Sequence, residues 1–154
     1  MVIIDSDIYL IELRYQRDAR YAINARFLDA VRSSAPAISI YTLMEVLGQL
    51  SFNLSAQTLA EWETWLLRRY RLTVLWPEAG GLDAHEFFTS EIYQRPLKRM
   101  QASRVAFTDA LVLQLAEDKP DVRAIVTWNA RHFKDKTSLP VLTPEEYLTG
   151  QAET

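Results

Sequence analysis

Cysteine is absent from this chain of 154 residues, and histidine occurs only twice. Without cysteine the chain can form neither a disulfide framework nor a thiolate metal site, and a cysteine nucleophile is excluded. Only four glycines occur, and no glycine-rich linker or repeat divides the chain. The length suits one ordinary domain with a core of its own. We therefore expect a single domain over residues 1–154.

Long apolar runs are also absent. The first segment, MVIIDSDIYL, has no basic lead and soon reaches Asp5, so it cannot serve as a signal peptide, and no run approaches the length of a membrane span. We therefore expect a cytoplasmic protein without a membrane partner. The net charge is -3 and the sequence pI is about 5.4, so a nucleic-acid partner must be bound by local basic patches.

Short apolar runs alternate with helical patterns along the chain. Four runs predict buried strands and a fifth, weaker run predicts another: 2–4, 37–40, 73–76, 124–128 and 140–142. Because parallel strands need crossover connections, this alternation predicts helices on both faces of a parallel sheet. The expected fold class is α/β, a three-layer α/β/α sandwich around a parallel sheet of four to five strands.

Helix starts can be predicted at several positions. Ser55 is expected to cap one helix, and Thr143, with Pro144 and Glu146 behind it, is expected to cap the last. The segment FTDALVLQLAE at 107–117 predicts another helix, and a charged helix is expected over 12–26.

Oxygen-bearing side chains follow the predicted strands. Asp5 and Asp7 follow the first strand, Glu45 follows the second, Asn129 follows the fourth, and Asp109 begins the helix before the fourth. Ligand sites in open parallel sheets lie at the carboxyl ends of the strands. Carboxylates about 4 Å apart repel by roughly 4 kcal/mol per pair, so such a cluster needs a cation. Oxygen ligands without His or Cys indicate Mg²⁺ or Mn²⁺.

Each acid also has a structural interpretation that the sequence leaves open. Glu45 completes TLME, which fits a Thr-x-x-Glu capping box starting at Thr42. The structural interpretation of Asp5 or Ser6 is the cap of the first helix, and that of Asp109 is an acid that favours a helix N-terminus. The joint pattern of the acids favours the functional interpretation.

Four segments together resemble a known family: VIIDSDIYL, ISIYTLMEVLG, FTDALVLQLAE and IVTWNARHF. They are similar, in order, to the four signature blocks of PIN-domain ribonucleases, especially the VapC-like toxins of bacterial toxin-antitoxin pairs. The resemblance spans residues 1 to about 135. It implies that Asp5, Glu45 and Asp109 bind metal and that Asn129 fills the fourth catalytic position. It also implies that Thr127 supports Asp5, while Asp7 departs from the family pattern of Ser or Asn.

The resemblance implies hydrolysis of RNA phosphodiester bonds with Mg²⁺ or Mn²⁺ as cofactor. It places Asp7 and Thr127 behind the metal ligands. The basic segments 95–104 and 131–136 flank predicted site residues, and from them we expect substrate binding by Lys98, Arg99, Arg104 and Arg131. The expected partners are an RNA substrate, a cognate antitoxin and a second copy of the chain in a homodimer.

Two alternatives remain. VIIDSDIYL also fits the Asp-x-Asp of haloacid-dehalogenase-like phosphohydrolases, with Asp5 as nucleophile and Asp7 as acid/base. That class expects an acid pair after a late strand, where this chain has TWNARHF. The other alternative is an inactive PIN-like binding module, held by an antitoxin or by self-association.

Overall fold

The computed structural model describes the backbone of residues 1–152 and the side chains of residues 1–150; residues 153 and 154 of the predicted domain lie outside this part. Its five strands form one parallel sheet: β1 (Val2–Ile4), β2 (Ala37–Ser39), β3 (Thr73–Leu75), β4 (Ala124–Val126) and β5 (Val141–Leu142). The strand order is β3-β2-β1-β4-β5. The predicted strands are therefore confirmed, and β1 is the central strand.

Helices connect the strands and cover both faces of the sheet. They are α1 (Ser6–Leu13), α2 (Tyr21–Val31), α3 (Ile40–Ser51), α4 (Ala56–Tyr70), α5 (Ala84–Phe88), α6 (Arg95–Ser103), α7 (Phe107–Glu117), α8 (Ala130–Phe133) and α9 (Pro144–Ala152). A 3₁₀ turn follows α2 at Arg32–Ser34, and a π-helical turn at Thr89–Gln94 joins α5 to α6.

The core has two halves, one on each face of the sheet. Successive side chains of a strand point to opposite faces. Ile4 accordingly packs among apolar residues of α1, α2, α3, α4 and α9, whereas its neighbour Ile3 packs among those of α7 and α8. Both side chains are fully buried. This arrangement is the predicted three-layer α/β/α sandwich.

The register of the central strands brings distant residues together at the carboxyl edge of the sheet. Strands β1 and β4 pair in parallel from Val2 opposite Ala124 to Ile4 opposite Val126. The pairing continues one step further, because the Asp5 N–H donates to the Val126 carbonyl over 3.0 Å. The residues that follow β1 and β4 therefore lie side by side.

The strands end earlier than the apolar runs suggest. Ser39 is the N-cap of α3, and its hydroxyl accepts a hydrogen bond from the Thr42 N–H over 2.9 Å. Ile40, the last residue of the predicted second strand, is consequently the first residue of the helix. In the same way β4 ends at Val126, so Thr127 and Trp128 lie beyond the strand.

Two predicted helix caps are confirmed. Ser55 caps α4 and accepts a hydrogen bond from the Thr58 N–H over 3.1 Å. Thr143 and Glu146 form a reciprocal capping box at the start of α9, with bonds of 2.7 and 3.1 Å.

The prediction of one charged helix over 12–26 is wrong. Helix α1 ends at Leu13 and α2 begins only at Tyr21. Between them, Asp18 accepts a hydrogen bond from the Arg20 N–H over 2.9 Å. An aspartate that binds the backbone two residues further on stabilises a turn in competition with a helix.

None of the helices described in residues 1–152 is both long and apolar enough to cross a membrane.

Candidate active site

Asp5 joins the central strand to the first helix. It follows β1 directly, has extended backbone angles and is the N-cap of α1. Its Oδ1 accepts a hydrogen bond from the Ser6 N–H over 2.8 Å, and the side chain is almost entirely buried. The capping role proposed from sequence is therefore real. It occupies only one carboxylate oxygen, so it is compatible with a second role for the other.

Thr127 links the two aspartates of the first block. It is fully buried, and its Oγ1 lies 2.8 Å from Asp5 Oδ2 and 3.1 Å from Asp7 Oδ2. The Asn129 N–H donates to the same Oγ1 over 3.0 Å. The expected support of Asp5 is present, and the contact with Asp7 adds a second carboxylate that sequence reasoning did not connect to Thr127.

Both aspartates bind protons more readily than exposed ones do. Burial is the largest cause, and it raises the pKa of Asp5 to about 7 and that of Asp7 to about 6. The charge of Asp7 raises the pKa of Asp5 further, while the Thr127 hydroxyl opposes both increases. Asp7 Oδ1 is buried and has no hydrogen-bond partner among the described residues. The pair therefore holds negative charge that its protein surroundings compensate only in part.

Glu45 is not part of a capping box. The N-cap of α3 is Ser39, and Thr42 lies inside the helix, fully buried. The Thr-x-x-Glu interpretation is wrong because the helix begins earlier than TLME. Burial raises the pKa of Glu45, the Ser6 side chain lowers it and Asp109 raises it. These effects show that Glu45 lies near the start of α1 and within electrostatic range of Asp109.

Asp109 lies in the first turn of α7, so the expected position at a helix start is confirmed. Burial raises its pKa, whereas His132, Lys136 and the backbone of Ala106 lower it. Asp109 also raises the pKa of Asp5. Its carboxylate is thus close enough to act on Asp5 and Glu45, with basic side chains nearby.

Asn129 lies at the rim of this group. It is exposed and stands as the N-cap of α8, but its side chain forms no capping hydrogen bond. Its contribution to the fold comes from the backbone N–H that binds Thr127. The amide side chain is therefore not required by the helix that it precedes.

The acids converge without forming a closed metal cage. Among residues 1–150, no three Asp, Glu or His side chains lie closely enough together to hold one metal ion. The donors brought to this edge are nevertheless all oxygens, from Asp5, Asp7, Glu45 and Asp109. Such a set suits a hard divalent cation better than a softer one.

Two of the basic residues predicted to bind substrate line a groove, and the other two are exposed on the surface. Lys98 and Arg99 line a groove of about 610 Å³ between α6 and the segment 135–138. Arg99 is already engaged, since it pairs with Glu117 and donates to the Lys136 carbonyl over 3.0 Å. Arg104, at the end of α6, and Arg131, in α8, are exposed and form no ion pair with a described residue. Lys98, Arg104 and Arg131 thus remain available, and Arg99 is held mainly by the protein.

Comparisons with known proteins address the fold. No family model matches the chain, and no curated protein matches it. The structure is similar to the crystal structure of PAE2754 from Pyrobaculum aerophilum, with a TM-score of 0.56, 17% sequence identity, and coverage of 99% of this chain and 96% of that one. A likeness at this identity supports the α/β architecture over the whole chain.

Sequence reasoning missed Arg20 as a neighbour of the acids. Its guanidinium carbon lies 5.6 Å from the centre of the Trp128 ring, and its charge lowers the pKa of Asp7. The local signal was the pair Asp18 and Arg20, which form a turn. That signal could identify the turn, but not the contact with a residue that follows β4.

Proposed function

We propose that this protein is a divalent-metal-dependent ribonuclease of the PIN-domain type, the toxin of a toxin-antitoxin pair, which hydrolyses phosphodiester bonds in RNA. The observation that carries the proposal is that Asp109, in the first turn of α7, acts electrostatically on both Asp5, the N-cap of α1, and Glu45, in the middle of α3. The pKa of each carboxylate is raised, and perturbed acids grouped at the carboxyl edge of a parallel sheet are typical of functional sites. The order of the four sequence blocks supports the same assignment.

The residues fit a magnesium or manganese ion by their chemistry. All donors are oxygens, and Asp7 Oδ1 is buried without a hydrogen-bond partner among the described residues. Asp5, Glu45 and Asp109 would hold the ion, with Asp7 and Thr127 behind them. Because like charges repel, a bound cation would reduce the repulsion among these carboxylates and allow them to lie closer together. A divalent ion bound there would supply Lewis acidity for activating water and for offsetting charge on the phosphate.

The protein's own groups supply orientation and proton transfer. Thr127 fixes Asp5 and Asp7 through its hydroxyl, which keeps the acids ordered before substrate arrives. Glu45 has a raised pKa and lies on the side of α3 that approaches Ser6, so it is suited to accept a proton from an attacking water. Asn129 offers a neutral amide that can orient this water or the phosphate without adding charge.

Substrate binding is assigned to basic side chains of the two segments that flank Asp109 and Asn129 in the sequence. Lys98, Arg104 and Arg131 are exposed and free of ion pairs with described residues, so they can contact backbone phosphates. Arg99 has a smaller part in the proposal than the sequence suggested, because its two terminal nitrogens are both already bonded: Nη1 and Nη2 donate to Glu117, and Nη1 also donates to the Lys136 carbonyl.

Protein partners also belong to the proposal. The sequence resemblance supports a cognate antitoxin and a homodimer. Exposed apolar side chains on α3, α4 and the turn between them add support, since large exposed apolar groups are typical of protein interfaces; these are Met44 at 60% exposed, Phe52 at 86% and Trp65 at 44%.

A phosphohydrolase of the haloacid-dehalogenase type is the second candidate. The observation in its favour is the shared contact of Asp5 and Asp7 with Thr127, since that class uses an Asp-x-Asp pair. The residues after β4 are evidence against it. That class has an acid pair after a late strand, whereas Thr127, Trp128 and Asn129 include no acid.

Cleavage of single-stranded RNA by purified protein tests the proposal. With Mg²⁺ or Mn²⁺ the RNA should be cut, and an excess of chelator should stop the reaction. Release of phosphate from small phosphoesters through an aspartyl-phosphate on Asp5 would instead support the phosphohydrolase. Binding of RNA or antitoxin without cleavage in either metal would support an inactive binding module.

A further inference from the structure

Arg20 is held in a fixed geometry at the edge of the acidic group. Its Nε donates to Asp18 Oδ1 over 2.9 Å and its Nη2 donates to Asp18 Oδ2 over 2.7 Å. The guanidinium also lies over the Trp128 ring, with 5.6 Å between its carbon and the ring centre, a distance typical of a cation–π contact. Half of the Arg20 side chain is nevertheless exposed, at 49%. A long surface side chain is thus oriented before any ligand binds.

Asp18 occupies only one edge of this guanidinium. An arginine has five N–H donors, of which Asp18 takes one from Nε and one from Nη2. No described residue accepts a hydrogen bond from Nη1. The edge formed by Nη1 and Nη2 therefore keeps a pair of donors with the spacing that matches two oxygens of a phosphate.

The position of Arg20 relates it to the candidate site. Trp128, which its guanidinium contacts, lies between Thr127 and Asn129, and the charge of Arg20 acts on Asp7. The charge of Lys136 acts on Asp109 in the same way. Arg20 precedes α2, which packs on one face of the sheet, while Lys136 follows α8, which packs on the other. The acids are thus flanked by cations from both helical layers.

We propose that Arg20, oriented by Asp18 and Trp128, binds a backbone phosphate of the RNA next to the bond that is cut, and so positions the strand. The inference rests on the proposed ribonuclease function. A polyanion that approaches several carboxylates needs a cation beside them. An arginine whose rotamers are already restricted loses less conformational entropy on binding than a free surface lysine.

The competing explanation is structural. In this explanation Arg20 connects the turn at 14–20 to the residues that follow β4, and it only stabilises that turn. The two explanations differ in what a substitution changes. A structural role alters the melting temperature alone, whereas a phosphate contact alters the KM for RNA and its dependence on salt.

Arg20→Gln is the test variant, and Arg17→Gln is its control, since Arg17 is an exposed arginine of the same turn without an ion pair to a described residue. Both are compared with the parent in cleavage of single-stranded RNA with Mn²⁺ and in RNA binding with chelator at several salt concentrations. Loss of a charge-assisted contact should raise the KM of Arg20→Gln roughly tenfold or more, with a smaller change in kcat. The slope of log K against log salt should fall by about 0.7, as for one phosphate contact with a single strand. Arg17→Gln should match the parent.

Arg20→Lys separates charge from geometry and replaces Arg20→Gln if that variant does not fold. An ammonium keeps the charge but lacks the fork, so the salt slope should be retained while KM rises. The inference would be overturned if both variants had the same KM and the same salt slope as the parent. This holds even if the variants melt at lower temperatures than the parent. If those variants match a parent that cleaves RNA, the ribonuclease function stands and only the role of Arg20 fails. If the parent neither binds nor cleaves RNA, both proposals fail.

Discussion

The hydroxyl of Thr127 donates a hydrogen bond to Asp5 over 2.8 Å, although the two residues are 122 positions apart in the chain. The same oxygen lies 3.1 Å from Asp7. Because a hydroxyl has one proton, it can satisfy only one of the two carboxylates at a time. The parallel pairing of β1 with β4 creates this contact. The two carboxylates are therefore positioned by the central sheet.

Thr127→Val should lower stability and metal affinity together. Valine has nearly the same shape but leaves the carboxylates and the Asn129 N–H without the Oγ1 they share. Loss of a partner from a buried polar group costs about 1–3 kcal/mol. Denaturant unfolding with chelator and calorimetric titration with Mn²⁺ measure the two effects. Thr127→Ser, which keeps the hydroxyl, is the control; equal stability and affinity of the Val variant and the parent would show that the hydroxyl is dispensable.

Glu45→Gln should lose cleavage activity by roughly a hundredfold or more, as expected when a catalytic acid-base group or ligand is neutralised. Its stability should stay near that of the parent, since Ser39 rather than Glu45 takes part in capping α3. Ser39→Ala is the matched control for capping and should reduce the free energy of unfolding by about 1 kcal/mol. A Glu45→Gln protein with parental cleavage would remove Glu45 from the site.

The metal-free protein should become less stable as the pH rises from about 4 to about 7. The pKa of Asp5 is raised from 3.8 to about 7 and that of Asp7 to about 6. Within this window the folded protein therefore binds more protons than the unfolded chain, so the contribution of these groups to the free energy of unfolding falls with increasing pH.

Asp7→Asn isolates that contribution from the other titrating groups. It removes the raised pKa of Asp7 and one of the effects, after burial, that raise the pKa of Asp5, so the variant should gain stability over the parent as the pH rises from 4 to 7. Denaturant unfolding in chelator at several pH values measures the difference. Asp121→Asn, at the opposite edge of the sheet where its carbonyl binds the N-terminus, should follow the parent. If the difference in free energy of unfolding between Asp7→Asn and the parent does not change with pH, the pKa of Asp7 is not raised in the folded protein.

Asn129→Leu should keep the fold and lose most of the cleavage activity. The side chain is exposed and caps nothing, and the backbone N–H that binds Thr127 is retained in any non-proline variant, so stability should change by about 0.5 kcal/mol or less. Asn129→Asp should remain active and bind Mg²⁺ at least as tightly, but melt earlier without metal because it adds a negative charge to the acids. Cleavage and melting curves of the two variants check this, and parental activity of Asn129→Leu would reduce the amide to a turn residue.

The strands were predictable because burial on both faces requires continuous apolar residues, as in 2–4 and 124–128. Their ends were not, since Ser39 ends β2 by capping a helix and the apolar run continues past it into Ile40. The break between α1 and α2 was missed for a related reason: hydrogen bonds of Asp18 to Arg20 stabilise a turn inside a segment with helical composition.

The place of Asp5, Asp7 and Glu45 at one edge of the sheet was predictable because each follows a strand and parallel strands bring their carboxyl ends to one edge. Asp109 follows no strand, and its position was predictable only as a helix start. What the sequence could not provide was the set of partners each acid has. The contact of Thr127 with Asp7 depends on the register of β1 against β4. The contact of Arg20 with the Trp128 ring depends on how the turn at 14–20 packs, for which the chain carries no periodic signal.

The most direct test of the ribonuclease proposal compares the parent with Asp109→Asn, purified in parallel, in cleavage of single-stranded RNA with Mn²⁺. The parallel preparation controls for contaminating nucleases. We expect the parent to cut the RNA and to stop when metal is chelated, and the variant to cut at least a hundredfold more slowly, on the order of the loss of a catalytic group. The variant should melt no earlier than the parent without metal, because burial and neighbouring acids oppose the charge of Asp109. Equal rates of metal-dependent cleavage by the two proteins would contradict the account.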